Sequence, residues 1–516
     1  MIPRRWRSLR CVAGFVVILF VLGCMVAIAN ITQVVDFEGR LSVFEPFEGK
    51  EPKPALKRKG KFLDDAFVLR TEIPNVREPE KVDIEIPNVR EPEKVDIESK
   101  VTNMIIPQQE KEVKIVRENL KNVTNHKLGL QRKGGKKPKA KKVVKLSYLN
   151  EDLLKDTREW HEIPPNYNLH AFYYPWYGNP DNDKLYLHWN HEYLPHWNKK
   201  MARKWPTGVH QPPDDVGSNF YPQLGCYSSS DDVIITEHMK QLRFASIGVL
   251  VLSWYPPGQA DEQGKPSDKL VRKIMDIAHD HQIRVAFHSE PYDGRNEMKF
   301  SDDVRYIIDT YGNHPALYRQ PTKDKRLLPL FYLYDSYLVN ATHWAKIFRR
   351  GFPTSLRGTK HDGIFLGLFV ENKHRSDVLR AGFDGFYTYF ASSGFTHGST
   401  WTSWKTLRQF AGQSNLLFAP SVGPGYMDTR VRPWNGINTK WRENGDYYDR
   451  SFRAALATNP SIISVTSYNE WHEGTQIESA IPYSYGNYSY QDYSPNQPDY
   501  YLKLTRQLGE HFEPTR

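Results

Sequence analysis

The run Ile247–Gly258, IGVLVLSWYPPG, decides the fold. Four aliphatic residues in succession, Val249 to Leu252, read as a strand buried on both faces, and Pro256-Pro257-Gly258 ends it. Seven further runs of this kind recur outward from it, at Leu169–Tyr174, Arg284–His288, Leu330–Tyr334, Gly363–Val370, Gly385–Phe390, Leu416–Ala419 and Ile462–Tyr468. Amphipathic stretches separate them, such as Ser267–His281 (SDKLVRKIMDIAHDH), where Ser267 is placed to cap the first turn. Eight strands alternating with helices predict an α/β fold, a (β/α)8 TIM barrel with long loops, over residues 160–510. A doubly wound open sheet is the alternative; no G-x-G-x-x-G follows the first strand, which counts against it.

The charge of the 516-residue chain is divided unevenly. Residues 1–150 hold 30 of the 70 Lys and Arg but 19 of the 60 Asp and Glu, so the formal excess of +10 belongs to the N-terminal third. A nucleic-acid partner, which wants a basic face on the folded domain, is therefore not expected. The aromatic residues, 13 Trp, 30 Tyr and 25 Phe, cluster instead after residue 160.

Arg4, Arg5, Arg7 and Arg10 precede an uncharged run, Cys11–Ala29. Nineteen residues at about 1.5 Å each span about 28 Å, so the run reads as a transmembrane signal anchor behind a cytoplasmic tail at 1–10. A cleaved signal peptide is the alternative, although its apolar core is usually shorter. Residues 30–150 read as a mostly disordered lumenal stem, with EIPNVREPEKVDI repeated in tandem over 72–97. Cys226 is alone after the anchor, so the domain must rest on its core rather than on disulfides. N-glycosylation triplets occur at Asn30, Asn122, Asn340 and Asn487.

A barrel places its working groups just past the C-terminal ends of its strands. Those positions hold Trp176 and Tyr177, Trp254 and Tyr255, Glu290, Asp335, Glu371, Gly423–Tyr426, and Glu470 with Glu473. Rings mixed with carboxylates suit a sugar site: sugar C–H faces stack on aromatics, while carboxylates take hydroxyl hydrogen bonds and move protons. The segment Ser467–Glu478, SYNEWHEGTQIE, carries the chemistry, with Asn469, Trp471 and His472 around two glutamates three residues apart. If it turns helically, Glu470 and Glu473 share a face with Cβ atoms about 5–6 Å apart, and two such carboxyls can divide acid and base duties. His288 and Glu290, two residues apart at the end of the third strand, are candidate ligand contacts, and Trp254 is expected to face the mouth. His188, Asn190, His191 and His196 invite a zinc reading, but sugar or backbone contacts suit such loop histidines better. His472-Glu473 is not H-E-x-x-H, since Gln476 stands at the last position. No metal or other cofactor is expected.

FYYPWYGNP (Phe172–Pro180), HWNH, PPDDVGSNFYP, VLSWYPPG, FHSEPY, GFDGFYTYF, PSVGPGY and SYNEWHEGTQIE together resemble glycoside hydrolase family 99, the glycoprotein endo-α-1,2-mannosidases. The resemblance runs in order over about residues 165–510. It implies a metal-independent barrel enzyme that cuts an internal α-1,2-mannosidic bond in glucosylated high-mannose N-glycans and releases glucosyl-mannose. For an animal member it also implies a single-pass type II protein of the Golgi membrane, anchored through residues 11–29 with its catalytic domain lumenal.

By the same resemblance the reaction retains configuration through a 1,2-anhydro sugar. Glu470 matches the base that takes the 2-hydroxyl proton, and Glu473 the acid that protonates the leaving oxygen and then activates water. Trp254 matches an aromatic that packs on the glucose-side sugar; Tyr174 and Tyr334 correspond less directly to substrate contacts. Trp176, Tyr177, His288, Glu290, Asp335, Tyr426, Asn469, Trp471 and His472 complete the expected binding set. Pro175 departs from the small residue expected there and bears on where Trp176 points. A non-catalytic membrane-anchored lectin, or another secretory-pathway barrel glycosidase, are the competing functions.

Overall fold

The computed structural model describes residues 158–513. Eight parallel strands appear where the apolar runs placed them. They are β1 (Asn166–Tyr173), β2 (Ile247–Trp254), β3 (Arg284–Ser289), β4 (Leu327–Leu333), β5 (Ile364–Leu368) and β6 (Gly385–Tyr387), followed by β7 and β8 (Ile463–Val465). Pro420, which has no N–H to give a ladder, splits β7 into Leu417–Ala419 and Ser421–Val422. The first half pairs with β6 and the second with β8, while β8 also pairs with β1. The ring is thus a nearly closed parallel barrel, with consecutive strands adjacent all the way round.

A helix follows each strand: α1 (Asp232–Phe244), α2 (Asp268–Asp280), α3 (Glu297–Tyr311), α4 (Ala341–Phe348), α5 (His374–Ala381), α6 (Trp404–Gln413), α7 (Asp446–Leu456) and α8 (Tyr500–Gly509). Ser267 does not cap α2; its hydroxyl accepts the Tyr255 N–H at 3.0 Å and ties down the loop leaving β2.

Alternation along the strands sorts the core into two layers. Phe172, Val249, Val251, Ala286, Tyr332, Leu366 and Ala419 point inward and fill the barrel. Leu250, Leu252, Phe287, Phe331 and Phe365 point outward against the helices. Every residue of β2 is buried, as a strand covered on both faces must be.

The membrane part of the sequence reading is corrected. Among the described residues no helix is long and apolar enough to cross a membrane. The longest, α3, has 15 residues, about 22 Å, against a hydrocarbon core of about 30 Å. Residues 11–29, on which the anchor and the type II Golgi-membrane placement rested, lie outside the described residues, as do the stem and its repeat. Membrane attachment is therefore not carried forward.

Candidate active site

The site lies at the C-terminal rim, where the chain leaves β8. Residues 471–474 form one tight turn, closed by the Gly474 N–H on the Trp471 carbonyl at 3.2 Å, rather than the helical turn expected. Gly474 has φ of 60°, and a Cβ there would lie 2.6 Å from the Met427 carbonyl oxygen, so both conformation and space demand glycine. The Met427 N–H donates to the Glu473 carbonyl at 2.7 Å, which fastens the turn to the loop after β7.

Glu470 is buried just before this turn, its own N–H held by the Ser467 hydroxyl at 2.7 Å. Its Oε2 has no hydrogen-bond partner. Its Oε1 lies 3.6 Å from His472 Nδ1. The other nitrogen of that ring, Nε2, is 2.9 Å from the His188 carbonyl, which can only accept, so Nε2 carries the proton. Burial, reinforced by His191 and His188, pushes the His472 pKa well down and keeps the ring neutral. A bare Nδ1 lone pair therefore faces Glu470.

Glu473 lines a recess with Phe390, Ser392, Tyr426, Asn435 and Asn438. Burial raises its carboxyl to about 7, with the Arg432 guanidinium pulling the other way and Asp428 adding to the rise. Glu470 is pushed well above the usual carboxylate range, first by burial and then by the charge of Glu473. Two carboxyls whose charges act on each other in this way titrate as a pair rather than independently.

One wall of the cleft is aromatic. Trp176 stacks on His188 at 4.6 Å between centroids, on Tyr174 at 4.5 Å and on His472 at 6.0 Å. The Tyr174 hydroxyl meets that of Tyr389, whose ring packs edge-on against Tyr334 at 4.9 Å. Beyond Tyr389 lies a second polar group. His288 Nε2 bonds the Tyr387 hydroxyl at 2.8 Å, His288 Nδ1 is 3.1 Å from Glu290, and Glu290 accepts from the Ser253 hydroxyl at 2.8 Å. Asp335 is buried there with Oδ1 unpaired; burial raises its carboxyl while the Tyr337 hydroxyl and Arg295 draw it back.

Of the residues expected at the site, Glu470, Glu473, Tyr174, Trp176, Tyr334, Tyr426, His288, Glu290, Asp335 and His472 thus belong to one connected cluster of rings, hydrogen bonds and charges. Three others stand behind its aromatic wall. Asn469 clasps Tyr174 through both backbone groups, at 2.8 and 3.0 Å. The Tyr177 hydroxyl donates to the Asn469 carbonyl and receives the Trp471 N–H, while the Trp471 indole N–H donates to Glu478. Trp254 is corrected outright. It is fully buried in the helical layer, against Phe287 and Tyr306, and its indole N–H donates to Asp268 at 2.9 Å. The strand continues through Trp254, so its even position in β2 falls on the outward face with Leu250 and Leu252.

Arg432, Tyr389, Arg295 and Glu478 were not anticipated. Tyr389 lay inside an expected strand, and Glu478 inside the quoted glutamate segment, so a signal existed for both. Arg432 sits on a long loop with no periodicity to mark it. Among the described residues no group of three His, Cys, Asp or Glu side chains converges as metal ligands would. His188 is occupied by Asp261 at 3.1 Å and His191 by the Glu192 carbonyl at 2.8 Å.

The profile of Glycosyl hydrolase family 99 matches residues 164–514. The glycoprotein endo-alpha-1,2-mannosidase of Mus musculus is 53% identical over 356 residues, covering 69% of this chain and 77% of that protein. The glycoprotein endo-alpha-1,2-mannosidase-like protein of Homo sapiens is 54% identical over 345 residues, covering 67% and 76%. Among solved structures, the GH99 endo-alpha-mannosidase from Bacteroides thetaiotaomicron superposes with a TM-score of 0.62 at 43% identity, over 67% of this chain and 97% of that one.

Proposed function

The chain belongs to glycosyl hydrolase family 99 and is a glycoside hydrolase, an endo-α-1,2-mannosidase of high-mannose glycans; from that premise we propose that Glu470 and Glu473 carry its chemistry. The observation that carries this reading is the pair itself: two carboxyls three residues apart where the chain leaves β8, both raised by burial, one with a buried oxygen that no protein group satisfies.

In an α-mannoside the 2-hydroxyl and the leaving group are trans and diaxial, so the 2-oxygen can reach C1 from behind. Glu470 takes the 2-hydroxyl proton, the 2-oxygen bonds to C1, and the C1–O bond to the departing mannose breaks as Glu473 protonates that oxygen. Glu473, now ionised, takes a proton from water, which opens the anhydro ring at C1, and Glu470 returns its proton to the 2-oxygen. Two inversions give net retention, and the product is glucosyl-mannose. The ordinary alternative, a covalent glycosyl-enzyme, would use one glutamate as nucleophile.

Without substrate the surroundings favour the reverse charge distribution. Arg432 stabilises an ionised Glu473, while the bare Nδ1 of His472 and deeper burial disfavour an ionised Glu470. A sugar 2-hydroxyl donating to Glu470 Oε2 stabilises the carboxylate there, and a glycosidic oxygen beside Glu473 accepts from its protonated form. Substrate binding thus favours an ionised Glu470 beside a protonated Glu473. Trp176, stacked against His188 and Tyr174, braces the aromatic wall, and His288, Glu290 and Asp335 supply hydroxyl partners deeper in the site.

The test is incubation with a monoglucosylated high-mannose glycan, beside Glu473→Gln. Release of the glucose–mannose disaccharide by the wild type alone is the expected result. Release of single hexoses would overturn the assigned cleavage position, and binding without turnover in both proteins would show a lectin.

A further inference from the structure

The loop after β7 does more than wall the acid. Residues 427–439 leave and return through an antiparallel bridge between Tyr426 and Lys440. Near its start the loop meets the Glu473 carbonyl; further on, Asn435 and Asn438 line the recess that holds the Glu473 side chain. Between them Trp434 points the other way and donates its indole N–H to the Leu194 carbonyl at 3.0 Å. Leu194 in turn donates its N–H to the Val431 carbonyl at 2.8 Å, and His210 bonds the Arg430 carbonyl at 2.7 Å. Two rim loops, one after β1 and one after β7, are thus sewn together beside the acid.

Their junction carries an aromatic platform. Trp197 stacks on His196 with centroids 3.7 Å apart, and the Trp434 ring stands perpendicular to Trp197 at 5.0 Å. Trp197 is nevertheless 65% exposed. Single exposed aromatics are ordinary. This one is held in orientation by two further rings, one of them adjacent in sequence to a residue that walls the acid's recess.

We propose that Trp197, backed by His196 and Trp434, is an outer subsite that stacks on a mannose of the glycan portion retained after cleavage. This rests on the proposed function, which fixes the side: the acid stands next to the leaving oxygen, so the Glu473 recess faces the leaving portion. A high-mannose glycan carries further mannoses on the retained side of the cut bond, and these extend beyond that recess. An indole face offers a C–H stacking surface to such a sugar without needing any particular hydroxyl.

The experiment compares two substrates. One is the full monoglucosylated high-mannose glycan; the other is glucosyl-mannosyl fluoride, which has no sugar on the leaving side. For Trp197→Ala, kcat/KM on the full glycan should fall about fivefold to tenfold, mainly through KM, with the fluoride unaffected. Trp197→Tyr should recover most of the loss. An equal fall on both substrates, or no fall on either, would overturn the subsite. Failure of the wild type to hydrolyse either substrate would instead overturn the function on which it rests.

Discussion

The indole N–H of Trp471 donates to the carboxylate of Glu478 at 3.0 Å, and the Tyr227 hydroxyl donates to the same oxygen at 2.8 Å. The other oxygen of Glu478 lies 3.5 Å from His238, which bonds the Tyr173 hydroxyl at 2.9 Å. All of these side chains are buried, and through Trp471 and Asn469 they bracket Glu470 on both sides. Glu478 thus braces from beneath the turn that follows Glu470.

Replacing it should separate stability from turnover. Glu478→Ala strands three polar partners in an apolar layer and is expected to cost about 3–5 kcal/mol, read by denaturant unfolding. Glu478→Gln keeps an acceptor for Trp471 and Tyr227 and should fold, with kcat about tenfold lower and KM nearly unchanged. Wild-type stability and kcat in the alanine variant would refute the role.

The pH dependence follows from Glu473. Its carboxyl stands at about 7 against an ordinary 4.5, and Glu470 is held higher still; the proposed scheme needs one proton on the pair, so kcat/KM should rise as pH climbs through about 7 and the second proton leaves. Glu473→Gln should lose the natural substrate yet still consume a fluoride in the first step, because fluoride needs little protonation. Stability carries the opposite sign. Between pH 4.5 and 7 the fold holds a proton that the unfolded chain has released, so stability falls with rising pH across that window. A thermal-melt series on wild type and Glu473→Gln checks it: the variant should show a shallower decline.

Arg432 sets where that limb lies. Its guanidinium lowers the Glu473 pKa, so Arg432→Gln should move the acidic limb up by about one pH unit. The ionised form is also needed to activate water, and kcat should therefore drop. An unmoved limb would show that burial alone governs the acid.

Trp254 tests the two core layers. Trp254→Ala removes a buried indole bonded to Asp268 and should cost about 3–5 kcal/mol, while KM of the folded enzyme stays within about twofold of wild type. A large KM increase with unchanged stability would return Trp254 to the substrate cleft.

Much of the architecture was legible because its determinants are local. Apolar runs such as Val249–Leu252 fixed all eight strands to within a few residues, and turn residues marked their ends. Period-two alternation also contains the correct facing of Trp254. The two prolines after Trp254 drew the reading toward the mouth, although the strand continues through Trp254 itself.

The two glutamates were legible for a related reason, since both sit in one short segment just past the last strand. Their partners were not. Arg432 is 41 positions before Glu473 in the sequence, and no periodicity links them. The Ser467–Glu478 segment alone does not say that Tyr177, Tyr227 and His238, from the loop after β1 and from α1, will close around it.

The sequence by itself determined the barrel strands and set Glu470 and Glu473 just past the last of them, because strand pattern and spacing act over a few residues. Only the tertiary structure decided which glutamate is drawn toward ionisation and where Trp176, Trp197 and Trp254 face. Burial and the nearest charge set the pKa of a carboxyl, and packing across the rim sets the direction of a ring. Both are distances through space that the order of residues does not contain.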